Sequence, residues 1–146
     1  MTTPNEIHTI LKNKHTPNAL LTACLPAGLA CTKNFLWCEF VKSQREIPAL
    51  SELESLYALA HTLQALRDNV FHSPMIITSG WRSKAYNKQI GGATGSYHTK
   101  GMACDFQIKG LPSNTIYNKL SRHSGGLGLY KTFIHLDIGP KRRWSG

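Results

Sequence analysis

The chain is short of acid. Eight Asp and Glu stand against seventeen Lys and Arg over 146 residues, a formal net charge of +9 at pH 7. A surplus of that size points to an anionic partner, because it steers association without setting specificity. Nucleic acid and the bacterial wall both qualify. The wall fits better, since Lys and Arg are scattered, Lys141-Arg142-Arg143 is the one tight run, and no nucleic-acid motif accompanies it. A nucleic-acid protein would instead bind DNA with steep salt dependence and no need of metal.

Other absences narrow the class further. There is no CxxC pair among Cys24, Cys31, Cys38 and Cys104, which argues against a zinc finger and for buried free thiols. Cys104 is a poor ligand, because strand alternation points it away from Asp105. The N-terminus lacks a basic n-region, and the apolar run from Ala19 to Ala30 is broken by Pro26 and Gly28, so neither a signal peptide nor a membrane helix is expected. Leu21-Thr22-Ala23-Cys24 looks like a lipoprotein box, but too little hydrophobic sequence precedes it. The expectation is synthesis in the cytoplasm, with release by another protein before the chain reaches a wall. No repeat or low-complexity segment is present, and the length fits one domain and a modest core, without a separate wall-binding module.

Periodicity predicts an α+β fold. Residues 1–33 show no clear period and read as an N-terminal arm, extended or partly ordered, ahead of a domain at 34–146. Ser51-Glu52-Leu53-Glu54 reads as a capping box opening a helix to about Asn69, with Leu53, Leu56, Tyr57, Ala60, Leu63 and Leu66 on one face. Met75 to Thr78 reads as a strand, Ser83 as the cap of a second helix ending at Gly91-Gly92, and Met102 to Ile108 as a second strand. A third helix from Ser113 to about Arg122 precedes two strands, Gly126 to Tyr130 and Phe133 to Ile138, giving a small, mostly antiparallel sheet packed by helices.

The chemistry sits in Ser96-Tyr97-His98-Thr99-Lys100-Gly101-Met102-Ala103-Cys104-Asp105, answered by Phe133-Ile134-His135-Leu136-Asp137. Two imidazoles and a carboxylate are the set a catalytic Zn²⁺ takes when one position stays open. His98, Asp105 and His135 supply it for one Zn²⁺ per chain, and Gly101 permits the bend between the first two. Taken singly, each has an ordinary alternative: a loop histidine donating to backbone, a strand-edge carboxylate, a half-buried strand residue. In the functional reading zinc polarises a scissile carbonyl and makes water a nucleophile near neutral pH, so an amide is hydrolysed without a covalent enzyme intermediate.

These residues resemble the M15 zinc peptidases, the D-Ala-D-Ala carboxypeptidases and murein peptidases, whose signature is Ser-x-His-x-x-Gly-x-Ala-x-Asp with a later His. The ending His135-Leu136-Asp137-Ile138-Gly139-Pro140 followed by basic residues and Trp144 is similar to one branch of that family, as are Ser79-Gly80-Trp81-Arg82-Ser83 and Asn34-Phe35-Leu36-Trp37-Cys38-Glu39-Phe40. The resemblance implies a hedgehog/DD-peptidase-like fold, peptidoglycan stem peptides as partner, and Arg82 over a substrate carboxylate or developing oxyanion, with a structural salt bridge as its alternative. Ser96 either binds substrate or caps its loop. Several M15 members carry a carboxylate three residues before the second zinc histidine, where Thr132 stands here. Asp137 is the nearest replacement, either as catalytic base or as a group orienting a ligand; Glu39 reads as structural. His123, just before the Gly125-Gly126 turn, is the one other histidine expected near the cleft. A phage-type lysis enzyme, monomeric, with carboxypeptidase or endopeptidase action, fits this reading. The alternative is a non-catalytic zinc-containing binding module on the scaffold that the hedgehog signalling domain shares.

Overall fold

The computed structural model describes residues 1–14, 25–26, 28–42 and 45–146. Its first element lies in the segment read as an extended or partly ordered arm: Pro4–Lys14 is an α-helix, α1. Thr3 Oγ1 accepts from Glu6 N at 3.2 Å while Glu6 Oε1 accepts from Thr3 N at 3.3 Å. That is a capping box with proline in the first turn, where its missing N–H costs nothing. Ile7 and Leu11, one turn apart, are fully buried, and α1 packs on the long helix α3 (Leu50–Leu66). Pro4 opens the helix. The segment from Leu21 to Cys24 lies outside the described residues.

A single turn, α2 (Trp37–Phe40), carries the aromatic anchors Trp37 and Phe40 into the core beside Phe35. Glu39 Oε2 accepts from Leu36 N at 2.7 Å, which satisfies the start of that turn and makes Glu39 structural, as expected. Helix α3 begins at Leu50 with Ala49 as its cap, so Ser51 already lies inside. The box expected from Ser51 to Glu54 is replaced by one set two residues earlier, with Glu52 Oε1 accepting from Ala49 N at 2.9 Å. Leu53, Leu56, Leu59, Ala60 and Leu63 are buried along one face. The helix then widens into a π turn, Arg67–Phe71, closed by His72 at φ 50°.

Strand β1 (Ile76–Ser79) leads to helix α4 (Lys84–Gln89), whose cap Ser83 accepts from Tyr86 N at 3.0 Å. Then follow β2 (Ala103–Gln107), α5 (Ser113–Lys119), β3 (Gly126–Leu129) and β4 (Ile134–Asp137). A fifth strand, β5 (Arg142–Ser145), was not expected and runs parallel to β3. The sheet order is β1-β2-β4-β3-β5, antiparallel except at that edge. The α+β class with a mostly antiparallel sheet is therefore as the sequence predicts. Phe106, Leu127, Ile134 and Leu136 join the leucines of α3 in one core. Cys31, Cys38 and Cys104 are free thiols, and burial pushes the Cys31 thiol up to about 12. No helix among the described residues is long and apolar enough to cross a membrane.

Candidate metal centre

Strand pairing does most of the assembly. Asp105 on β2 lies directly opposite His135 on β4, and opposed antiparallel residues hold their Cβ atoms about 4.5–5.5 Å apart. Cys104 and Leu136, the next pair along, are fully buried on the core side. The third residue arrives on a 3₁₀ turn, Tyr97–Lys100, in which Ser96 Oγ accepts from His98 N at 3.2 Å. Gly101 ends that turn at φ 73°, and a Cβ there would run into the Glu52 carbonyl of α3. Left-handed backbone and close approach both demand glycine.

His98 Nε2 stands 3.3 Å from Asp105 Oδ1, and His135 Nδ1 stands 3.2 Å from the same oxygen. In a tetrahedral site with metal–ligand bonds of about 2.0–2.1 Å, neighbouring donor atoms are about 3.3–3.4 Å apart, so the spacing suits Zn²⁺. The outward nitrogens are committed to oxygen: His98 Nδ1 to Gly80 O at 2.8 Å, and His135 Nε2 to Asp137 Oδ2 at 2.8 Å. In the tautomer that a cation would take, each of those nitrogens donates its proton to an oxygen and the inward lone pairs face the metal position. Among the described residues, these three are the one group of His, Cys, Asp or Glu side chains that could hold a metal. Burial works to raise the Asp105 carboxyl, but hydrogen bonds from His135 and His98 outweigh it and bring it down to about 2. The residue is an anion at neutral pH.

Arg82 and Asp137 flank this set differently from one another. Arg82 spends its guanidinium on Ser79 Oγ at 3.2 Å, Asn87 Oδ1 at 3.3 Å and Asp105 Oδ2 at 3.4 Å. It thereby fixes the far oxygen of Asp105 while Oδ1 faces the histidines. Asp137 is fully buried. Its Oδ1 accepts from Gly126 N and Gly139 N, both at 3.0 Å, and its Oδ2 is shared by His135 Nε2 and Arg142 Nη2, the latter at 2.6 Å. Burial favours its neutral form, yet the bonds from His135 and Arg142 hold the carboxyl well below its ordinary range.

A cleft of about 460 Å³ opens over the three donor atoms. The sequence reading missed most of its wall: Tyr97, Tyr130, Phe133, Arg142 and Trp144. The Arg142 guanidinium lies 4.8 Å from the Tyr97 ring centre and 5.1 Å from that of Trp144, a stacked cation between two aromatics. Trp144 in turn packs 5.0 Å from the His135 ring. The one available signal was the aromatic and basic ending itself, quoted as motif but given no role. Thr132, at the position of the missing carboxylate, is exposed in the β3–β4 turn. His123 faces the back of the site, with Nε2 bonded to Asp137 O at 2.8 Å. Two larger hollows, of about 540 and 690 Å³, contain none of the three donors. The second adjoins the cleft at Gly92, Thr94 and Gly95 and carries Lys84, Lys88 and Lys100.

The chain is 43% identical over 79 residues to peptidoglycan L,D-endopeptidase MepK of Escherichia coli K12, a match covering 49% of this chain and 43% of that one. It is 41% identical over 78 residues to the probable peptidoglycan L,D-endopeptidase MepK of Haemophilus influenzae, covering 48% and 42% respectively. The match thus spans less than half the length of either relative. Residues 26–137 match the Peptidase M15 family model, a stretch that takes in Arg82, His98, Asp105, His135 and Asp137, and the chain belongs to that family.

Proposed function

We propose that the protein is a zinc-dependent peptidase that cleaves peptide bonds in bacterial peptidoglycan. The observation that carries this reading is the convergence of His98 Nε2, Asp105 Oδ1 and His135 Nδ1 at zinc-site spacing, with both outer imidazole nitrogens anchored on oxygen. A zinc ion bound there supplies Lewis acidity toward the scissile carbonyl and toward water. The surrounding residues orient, exclude and recognise. Likeness to MepK favours an endopeptidase acting on an L,D bond over a carboxypeptidase.

Arg82 has a double part in this reading. Three of a guanidinium's five N–H donors are used on Ser79, Asn87 and Asp105. The other two can meet a substrate carboxylate at the cleft wall. Ser96, whose oxygen accepts from His98 N, keeps its hydroxyl proton for substrate while capping the turn. Asp137 acts as a positioning residue and not as the general base, since both its oxygens already accept two hydrogen bonds each and no face of the carboxylate is left for water. Helix α1 belongs with the peptidase domain, because its buried face completes the core under α3.

One feature supports a second reading, a metal-holding module that binds wall peptides without cutting them. Apart from Asp105 and Asp137, no carboxylate among the described residues lines the cleft. Defined muropeptides incubated with the protein, with and without chelator, and weighed by mass spectrometry separate the two. Chelator-sensitive products one water heavier in total than the substrate support the peptidase. Retention of intact muropeptide without products establishes the binding module.

A further inference from the structure

Beside the metal centre, the β3–β5 edge builds a small device that the metal reading leaves unexplained. Gly128 on β3 lies opposite His135 on one side and Trp144 on the other. A Cβ at Gly128 would sit 2.5 Å from Trp144 Cε2 and 2.6 Å from its Nε1. The missing side chain is therefore what lets the indole lie flat across the strand, against the His135 ring. From there Trp144 Nε1 donates to Tyr130 Oη at 2.9 Å. Tyr130 is two residues beyond Gly128, so it projects to the same face of the sheet as the indole and His135. Its ring is clamped by stacking on Phe133, with centres 4.6 Å apart and planes 8° from parallel. Both rings line the metal cleft.

A phenol that accepts from an indole N–H still has its own O–H to give. Among the described residues no acceptor takes it, and donation into the phenol oxygen strengthens the outgoing hydrogen bond. Elsewhere on the wall, Arg82 spends three of its donors on Ser79, Asn87 and Asp105, and Arg142 spends donors on Asp137 and Pro140.

We propose that Tyr130 is a catalytic residue, held in place by Trp144 over Gly128, whose hydroxyl donates a hydrogen bond to the scissile carbonyl oxygen as negative charge develops on it. This rests on the peptidase reading. As water adds, its oxygen bonds to the carbonyl carbon and the carbonyl π pair moves onto oxygen, where Tyr130 meets it. When that pair returns, the C–N bond breaks. Both water protons finish on the departing amine, leaving carboxylate and ammonium, and Tyr130 keeps its own proton throughout.

The test compares wild type, Tyr130→Phe and Trp144→Phe on one cleaved muropeptide, together with calorimetric binding of a phosphinate pseudopeptide that mimics the tetrahedral carbon. Tyr130→Phe removes one oxygen and keeps the ring stack. It is expected to lower kcat by about 10²-fold, the scale for deleting one oxyanion donor, with KM and zinc content unchanged and phosphinate affinity reduced by a similar factor. Trp144→Phe, which frees the hydroxyl without removing it, is expected to fall between the two. Undiminished kcat in Tyr130→Phe overturns the proposal while leaving the peptidase reading intact. So does a rise in KM alone, or a loss of zinc or of thermal stability that accounts for the lost rate. A wild type that binds zinc but cleaves no muropeptide overturns both.

Discussion

Asp137, two positions after His135, was read as either a catalytic base or a group orienting a ligand, because strand geometry puts alternate residues on one face; its hydrogen bonds support the positioning role proposed above. The structure keeps it on that face and turns its carboxylate onto His135 Nε2, with Gly126, Gly139 and Arg142 occupying what remains. Asp137→Asn is therefore expected to weaken zinc affinity by about 10–100-fold, as loss of a group that orients a ligand does, and excess zinc should restore most of the rate. A kcat that stays about 10²-fold down at saturating zinc would return the base role to Asp137. Arg82→Lys belongs to the same scale. One ammonium cannot hold Ser79, Asn87 and Asp105 in the planar arrangement of a guanidinium, so kcat/KM should drop at least tenfold, as when a partner that orients a metal ligand is lost. Wild-type kcat/KM in that variant would limit Arg82 to bulk charge. The grouping of His98, Asp105 and His135 was legible from the motifs that carry them. Much of the cleft wall was not, since Arg142 and Trp144 reach the site only through a parallel β3–β5 pairing that no local pattern encodes.

Among the elements, α1 and β5 were two that sequence reading did not find, for different physical reasons. Helix α1 offers a period of only one turn, Ile7 to Leu11, and Pro4, a breaker anywhere except the first turn, stands at its start. Its stability comes from docking on α3. Leu11→Ala should then cost about 2–4 kcal/mol, as for a buried leucine left as a cavity, seen as a lower denaturation midpoint of the whole protein. A change below about 0.5 kcal/mol, the range of surface substitutions, would mean that α1 is no part of the core. Strand β5 has no apolar alternation to read: Arg142-Arg143-Trp144-Ser145 looks like a solvated basic tail. It is a strand because β3 offers it an edge, and because the Arg143 guanidinium donates to the carbonyls of Gly125, Ser121 and His123, tying down the turn before β3. By contrast α3 and β4 carry strong periodic signals and lie within a few residues of where periodicity places them.

Across the whole molecule, the basic surplus and the metal cleft belong to one account. In the proposed function the +9 charge steers encounter with an anionic polymer while the cleft decides which bond is met, so the first would set encounter and the second chemistry. The part of the basic run that seemed most available to a partner is partly structural, since Arg142 binds Asp137 and stacks between Tyr97 and Trp144. Every role assigned above, from the tautomer set by Asp137 to the hydroxyl of Tyr130, presumes a metal held by His98, Asp105 and His135. Zinc content of the purified native protein and of His98→Ala, measured by elemental analysis on the same preparation scale, tests that presumption directly. The account predicts about one zinc per chain in the native protein, a single ion in a three-ligand site, and loss of nearly all of it in the variant; equal zinc in the two proteins would contradict it.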